Sequence, residues 1–238
     1  MSATASISAL CIACQAPLTG SPLFCAACAA VQPVSPSISN AQAAMDYFHA
    51  FALPRRLALD TVALEGEFHR LSRRLHPDRF ARASAEQQAW SLAATALLND
   101  AWRTLRDPIQ RVEYLLKLEG YQLGEEHAGK SRVAERQPPA DLLEEVFDLN
   151  MQLEELRMSR KLGDASDPAL VADLTAARAR FDSLLAAVDA DINAQSRLWD
   201  TGSDAVRAQA AAALLALLDR RRYLRNLVRD VGEALNPA

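Results

Sequence analysis

Glycine is scarce, at 8 of 238 residues, and strict apolar–polar alternation never persists, so a sheet-built fold is excluded in favour of helices. No apolar run approaches the ~20 residues that a helix needs to cross a bilayer, which rules out a membrane span. Lys and Arg are absent before Arg55. A secretory signal needs a basic start and a mitochondrial presequence needs arginines, so the expected location is cytoplasmic, where thiols stay reduced. The formal net charge is -4, a poor basis for wrapping nucleic acid. No nucleophile constellation is present, and His49, His69 and His127 fit no metal spacing.

What is there is a soluble, helix-forming chain, 50% apolar and 24% charged. Its composition changes mark three parts and two linkers: 1–32, with all four cysteines and no charge; a Pro/Ser linker, 33–40; a helical segment, 41–120; a glycine- and charge-bearing linker, 121–138; and a second helical segment, 139–238. In the middle part, a short helix ends before Pro54 and a second spans about residues 60–75. Ser84 with Gln87 three residues later opens a third, and a fourth ends at Gly120. The last hundred residues read as three long helices, which short turns fold into an antiparallel bundle.

Cys11 and Cys14, and Cys25 and Cys28, form two C-x-x-C pairs ten residues apart. Such turns aim both sulfurs at one point, and two of them make a closed tetrahedral site with no open position for catalysis. A segment of this length cannot build its own core, so a structural zinc ion would supply its folding energy. A redox dithiol and an iron–sulfur ligand set use the same residues. A nucleic-acid knuckle is disfavoured, because residues 1–32 contain no Lys or Arg.

From Arg70 to Arg82 five arginines (Arg70, Arg73, Arg74, Arg79, Arg82) stand against one acid, Asp78. A basic patch on an acidic protein suits docking to an acidic partner, although charge runs also serve solubility. His76-Pro77-Asp78 interrupts the helical pattern just after this patch. Pro77 fixes its own φ and restricts His76, giving a stiff projection, with Asp78 placed to accept backbone hydrogen bonds. Neighbours flanking a proline do not build a catalytic pocket.

In the second helical segment, Leu142, Val146, Leu149, Leu153 and Leu156 lie within about 40° of one line, a core seam. Leu143, Phe147 and Met151 lie well off it and form a surplus stripe, either a wider core or an interaction patch. On the last helix Val206, Ala210, Ala213, Leu217, Leu224, Val228, Val231 and Leu235 form a seam. Tyr223 sits about 100° away from it, as an interface aromatic would.

Asp46-Tyr47-Phe48, the arginine-bearing helix leading to His76-Pro77-Asp78-Arg79-Phe80, Leu98-Asn99-Asp100-Ala101-Trp102 and the run LRDPIQRVEYLL at 105–116 resemble a J-domain. With the LLEEVFDLN segment at 142–150, residues 41–238 resemble the HscB-type J-domain co-chaperones of iron–sulfur cluster biogenesis. The cysteine pairs are similar to the N-terminal zinc knuckle of some members. The resemblance implies an all-α chain: a zinc knuckle, a helical J-domain hairpin with an HPD loop, and a C-terminal three-helix client-binding bundle. It implies no chemistry and no bound nucleotide of its own. His76, Pro77 and Asp78 would trigger ATP hydrolysis in a DnaK-type, HscA-like chaperone, with Arg70, Arg73, Arg74 and Arg79 as the docking face; Arg79 stands where lysine is usual. Leu143, Phe147, Asp148, Met151 and Tyr223 would bind an IscU-like iron–sulfur scaffold. Glu144 stands where methionine is common and Met151 where an acid can occur. The rival reading is a general J-domain co-chaperone that delivers unfolded clients.

Overall fold

In the computed structural model, residues 10–34, 45–123, 139–163 and 167–236 are described. The linker expected at 121–138 falls mostly outside them, as does most of that at 33–40. The chain divides into two compact units, Met1–Gly120 and Tyr121–Ala238. Both are built from helices; among the described residues there is no strand, only the isolated bridges Leu10–Pro17 and Phe24–Val31.

Among its described residues the first unit holds four α-helices, α1 (Tyr47–Ala50), α2 (Thr61–Leu75), α3 (Ala85–Arg106) and α4 (Pro108–Leu118). Each starts where a side chain satisfies the orphan amides of a helix N-terminus. Asp60 accepts from the Val62 and Ala63 amides at 3.0 Å, Ser84 from Gln87 at 3.3 Å, and Asp107 from Ile109 and Gln110 at 2.9 Å. Pro108 occupies the first turn of α4, where its missing N–H costs nothing. α2 and α3 form an antiparallel hairpin: Phe68 stacks on Trp102, 5.1 Å between ring centroids, and Leu75 meets Ser91 at the other end. Between them the core fills with Leu64, Leu71, Leu75, Ala94, Leu98, Ala101 and Leu105. Arg111, 6% exposed, donates to the Leu105 carbonyl at 2.5 Å and so closes the C-terminus of α3. Tyr47 stacks on Tyr114 with centroids 4.4 Å apart and donates its amide to the Tyr114 hydroxyl at 2.9 Å, which ties α1 to α4.

The cysteine segment is packed onto this unit. Leu23 is fully buried, and the Ser21 hydroxyl donates to the Ala50 carbonyl at the end of α1, 2.7 Å away and shielded from water.

The second unit is a bundle of α5 (Leu143–Leu162), α6 (Pro168–Thr201) and α7 (Asp204–Leu235), with one 3-10 turn, Ala140–Leu142, ahead of α5. Asp167 caps α6, accepting from the Ala169 amide at 2.9 Å. Gly163 ends α5 at φ 79, a left-handed conformation that suits glycine. Between α6 and α7, a Cβ on Gly202 would lie 2.5 Å from a Val206 methyl carbon, so only glycine permits that close turn. α7 packs against both α6 and α5. The expected α5 seam is buried: Leu142, Val146, Leu149, Leu153 and Leu156 are all at most 4% exposed.

The α7 seam differs from expectation. Its buried residues are Ala210, Ala211, Leu214 and Leu218 in the first half, and Tyr223, Leu224, Leu227 and Val231 in the second. These do not follow one straight line, because a long helix drifts by roughly 20° per heptad and this one contacts two helices. Tyr223 is therefore a core residue, 5% exposed, and not the surface aromatic that the straight-line reading assigns. Among the described residues its hydroxyl has no hydrogen-bond partner, and burial raises the phenol above its ordinary range.

Candidate functional sites

The cysteine pairs fold as two copies of one turn. In each, the residue after the second cysteine (Gln15, Ala29) has φ 60, and its amide returns to the first cysteine's carbonyl at 2.9 and 3.0 Å. The Cys11 and Cys25 amides donate to the Ala16 and Ala30 carbonyls, both at 2.9 Å. These turns bring all four sulfurs within 4.8 Å of one another. Cys11 and Cys28 sulfurs are 3.6 Å apart, and those of Cys14 and Cys25 are 3.7 Å apart. A tetrahedral ion bonded at about 2.3 Å to four thiolates sets its sulfurs about 3.8 Å apart, so the donor set fits one metal ion.

The thiols are electrostatically unequal. Burial opposes ionisation of Cys11, but hydrogen bonds from the Cys14 and Ala13 amides and the Cys28 and Cys14 thiols together outweigh it and draw the group down to about 6. At Cys28 the Ala30 amide acts downward and is outweighed by the neighbouring thiols and burial, which push it up to about 12. A cation among them removes this conflict by holding all four deprotonated. Gln32, 3% exposed, supports the cluster. It donates from Nε2 to the Cys11 sulfur at 3.4 Å and accepts from the Ile12 amide at 3.1 Å. Sequence reading passed over Gln32; its signal is a lone amide side chain beside a run of small apolar residues.

His76 leaves the helix at φ -55, ψ 129, and Pro77–Phe80 form one 3-10 turn. The turn is held differently from expectation. The Asp78 amide donates to His76 Nδ1 at 3.3 Å and the Arg79 amide to the His76 carbonyl at 3.0 Å. Among the described residues the Asp78 carboxylate caps no amide; it is 90% exposed, 3.5 Å from His76 Nδ1, and projects into solvent. Behind the turn, the Leu75 carbonyl has lost its helical donor, because the Arg79 amide is engaged by His76. Ser91, fully buried, donates to it at 2.6 Å and Thr95 at 3.1 Å. These two hydroxyls pin the loop to α3. Ser91 also escaped sequence reading, although it occupies a core position on the line of Ala94, Leu98, Ala101 and Leu105.

The arginines around the loop are not equivalent. Arg73, Arg79 and Arg82 are exposed. The Arg70 Nε donates to Glu67 at 2.7 Å. Arg74 lies over the Phe24 ring of the cysteine segment, 5.3 Å from its centroid.

On α5 the surplus stripe is open to solvent: Leu143, Phe147 and Met151 are 57%, 65% and 60% exposed. Met158 and Leu162, missed by sequence reading, are 57% and 73% exposed and fall on the same line at about 100° per residue. Glu144, Asp148 and Glu155 border the stripe, all exposed. Tyr223 does not join it.

No family model matches the chain. Among solved structures it is similar to the chaperone HscB from Vibrio cholerae, with 25% identity and a TM-score of 0.53 over 79% of this chain and 96% of that one. It is also similar to the human co-chaperone protein HscB, with 23% identity and a TM-score of 0.58 over 97% of this chain and 100% of that one. With its clustered cysteines ahead of the helical hairpin, the chain has the fold of the HscB-type J-domain co-chaperones and carries an N-terminal tetracysteine knuckle.

Proposed function

We propose that the protein is a co-chaperone that binds an IscU-like iron–sulfur scaffold, delivers it to a DnaK-type, HscA-like chaperone and stimulates that chaperone's ATPase, assisting cluster transfer. It performs no covalent chemistry itself. The observation that carries this reading is the pairing, within one chain, of a projecting His76-Pro77-Asp78 turn beside exposed arginines with an unburied apolar stripe on α5. Arg70, Arg73, Arg74 and Arg79 form the docking face for the chaperone. An arginine face gives fast, weak, salt-sensitive association, which suits a partner that must leave again.

Leu143, Phe147, Asp148 and Met151 are the core of the scaffold contact, and Met158 and Leu162 prolong it. A stripe of exposed large apolar residues marks a protein contact in a soluble chain. The acidic border calls for a partner with basic residues around an apolar face. Cys11, Cys14, Cys25 and Cys28 hold a structural zinc ion that stabilises the knuckle. Among the described residues no helix is long and apolar enough to cross a membrane.

Titration calorimetry of the full chain against the scaffold tests the client half. Leu143→Ser combined with Phe147→Ser is expected to abolish binding while leaving the helical circular dichroism intact, since both side chains are solvent-exposed. Unchanged affinity refutes the assignment. Equal binding of unfolded polypeptides would favour a general J-domain co-chaperone instead.

A further inference from the structure

Phe24 directly precedes Cys25 and is only 9% exposed, yet its ring meets a cation from the other side of the knuckle–helix contact, Arg74. Arg74 stands two residues before His76, at the end of α2 from which the loop projects. The knuckle that presents Phe24 is fixed in place by fully buried Leu23 and by the shielded Ser21–Ala50 hydrogen bond. The ring therefore has a defined position relative to α2.

A guanidinium over an aromatic face keeps its full charge and its outward N–H donors. What it loses is rotamer freedom, and ordering a long arginine arm is one of the costs of forming an interface. Residues 1–32 contain no Asp, Glu, Lys or Arg, so the knuckle offers Arg74 no carboxylate. It thus orders Arg74 through an aromatic face and not through an ion pair. The other arginines differ in this respect: Arg70 is tied to a carboxylate, and Arg73 and Arg79 are exposed.

We propose that Phe24 is a positioning residue for chaperone docking: it holds the Arg74 guanidinium ready for an acidic surface on the ATPase partner, making the docking surface a composite of α2 and the knuckle. This rests on the reading of α2 and the His76-Pro77-Asp78 loop as the chaperone contact.

The test is a double-mutant cycle in the full chain, read as stimulation of a purified DnaK-type ATPase chaperone over a range of co-chaperone concentrations. Phe24→Leu keeps an apolar side chain and removes the ring; Phe24→Met does the same if leucine fails to hold the knuckle together. The expected result is a rise of about two- to fivefold in half-saturating concentration with maximal stimulation unchanged, from the usual strength of such a contact. Phe24→Tyr restores the wild-type value. In an Arg74→Ala background Phe24→Leu has no further effect, and the upfield ring-current shift of the Arg74 side-chain protons disappears with the ring. The proposal is overturned if Phe24→Leu leaves half-saturation unchanged or lowers it, or if its effect is equally large without Arg74. Wild-type protein that leaves ATP turnover at its basal rate overturns the docking reading itself, and the proposal falls with it.

Discussion

Removing the two hydroxyls behind the loop should loosen it in a way that single substitutions conceal. The Leu75 carbonyl is buried against α3 and receives Ser91 at 2.6 Å and Thr95 at 3.1 Å. With Ser91→Ala, Thr95 still satisfies it, and the loss is that of one ordinary hydrogen bond, about 1 kcal/mol. Thr95→Val leaves the shorter Ser91 bond and costs about the same or less. The pair leaves a buried carbonyl with no donor, a penalty of roughly 1–3 kcal/mol on top of the lost bonds. The double variant should therefore exceed the sum of the single ones by about 1 kcal/mol or more. Because the chain has two units, global unfolding is a poor reporter, and segmental hydrogen exchange is the better assay. The Asp78 and Arg79 amides bond back to His76, so their exchange reports the opening of the turn. Each single change should speed that exchange about fivefold, and the pair by about 150-fold, beyond the roughly thirtyfold of simple additivity. Strictly additive changes, or a double variant as protected as the wild type, would refute the claim that these hydroxyls hold the loop.

Replacing Gln32 by Leu removes the only side-chain amide found donating to the Cys11 sulfur among the described residues; metal affinity in a competition titration should fall about 10- to 100-fold, and an unchanged affinity contradicts its supporting role. Met158→Ser with Leu162→Ser should weaken scaffold binding about tenfold, some 1.4 kcal/mol, without altering helicity; full affinity would confine the contact to the first half of α5. The bidentate Arg220 contact to Asp141, at 2.8 and 2.7 Å, holds that carboxyl below its ordinary value. Its contribution is thus present at neutral pH and lost as pH falls below about 4. Asp141→Asn should lower the bundle's thermal midpoint slightly at pH 7, with the difference shrinking steadily as pH falls below about 4; a difference that does not shrink on acidification would show that the pair is not its source.

Local chemistry made the helix starts readable. Ser84 announces its helix and accepts from the Gln87 amide as read, and Asp60, Asp107 and Asp167 are residues of the same capping type at the starts of theirs. The four cysteines converge as their spacing demands, because a C-x-x-C turn is a local structure. The α5 stripes were legible as two lines, but only the fold shows that Leu143, Phe147 and Met151 face solvent. Burial is a tertiary property, and a surplus stripe fits both outcomes equally. Tyr223 was misplaced for the same reason: a seam drawn along one straight line cannot follow a helix that packs on two neighbours. Arg74 over Phe24 joins residues fifty positions apart, and Ser91 beneath Leu75 is another long-range pairing that no local pattern encodes.

The central claim is that the projecting turn sets the pace of another protein's nucleotide cycle, and ATP turnover by a DnaK-type chaperone measures it directly. With the full chain added, turnover should rise well above its basal rate, and with Asp78→Asn it should stay basal, since that carboxylate is 90% exposed and the substitution leaves the fold undisturbed. Stimulation by Asp78→Asn equal to that of the wild type, or none by either, would contradict the account.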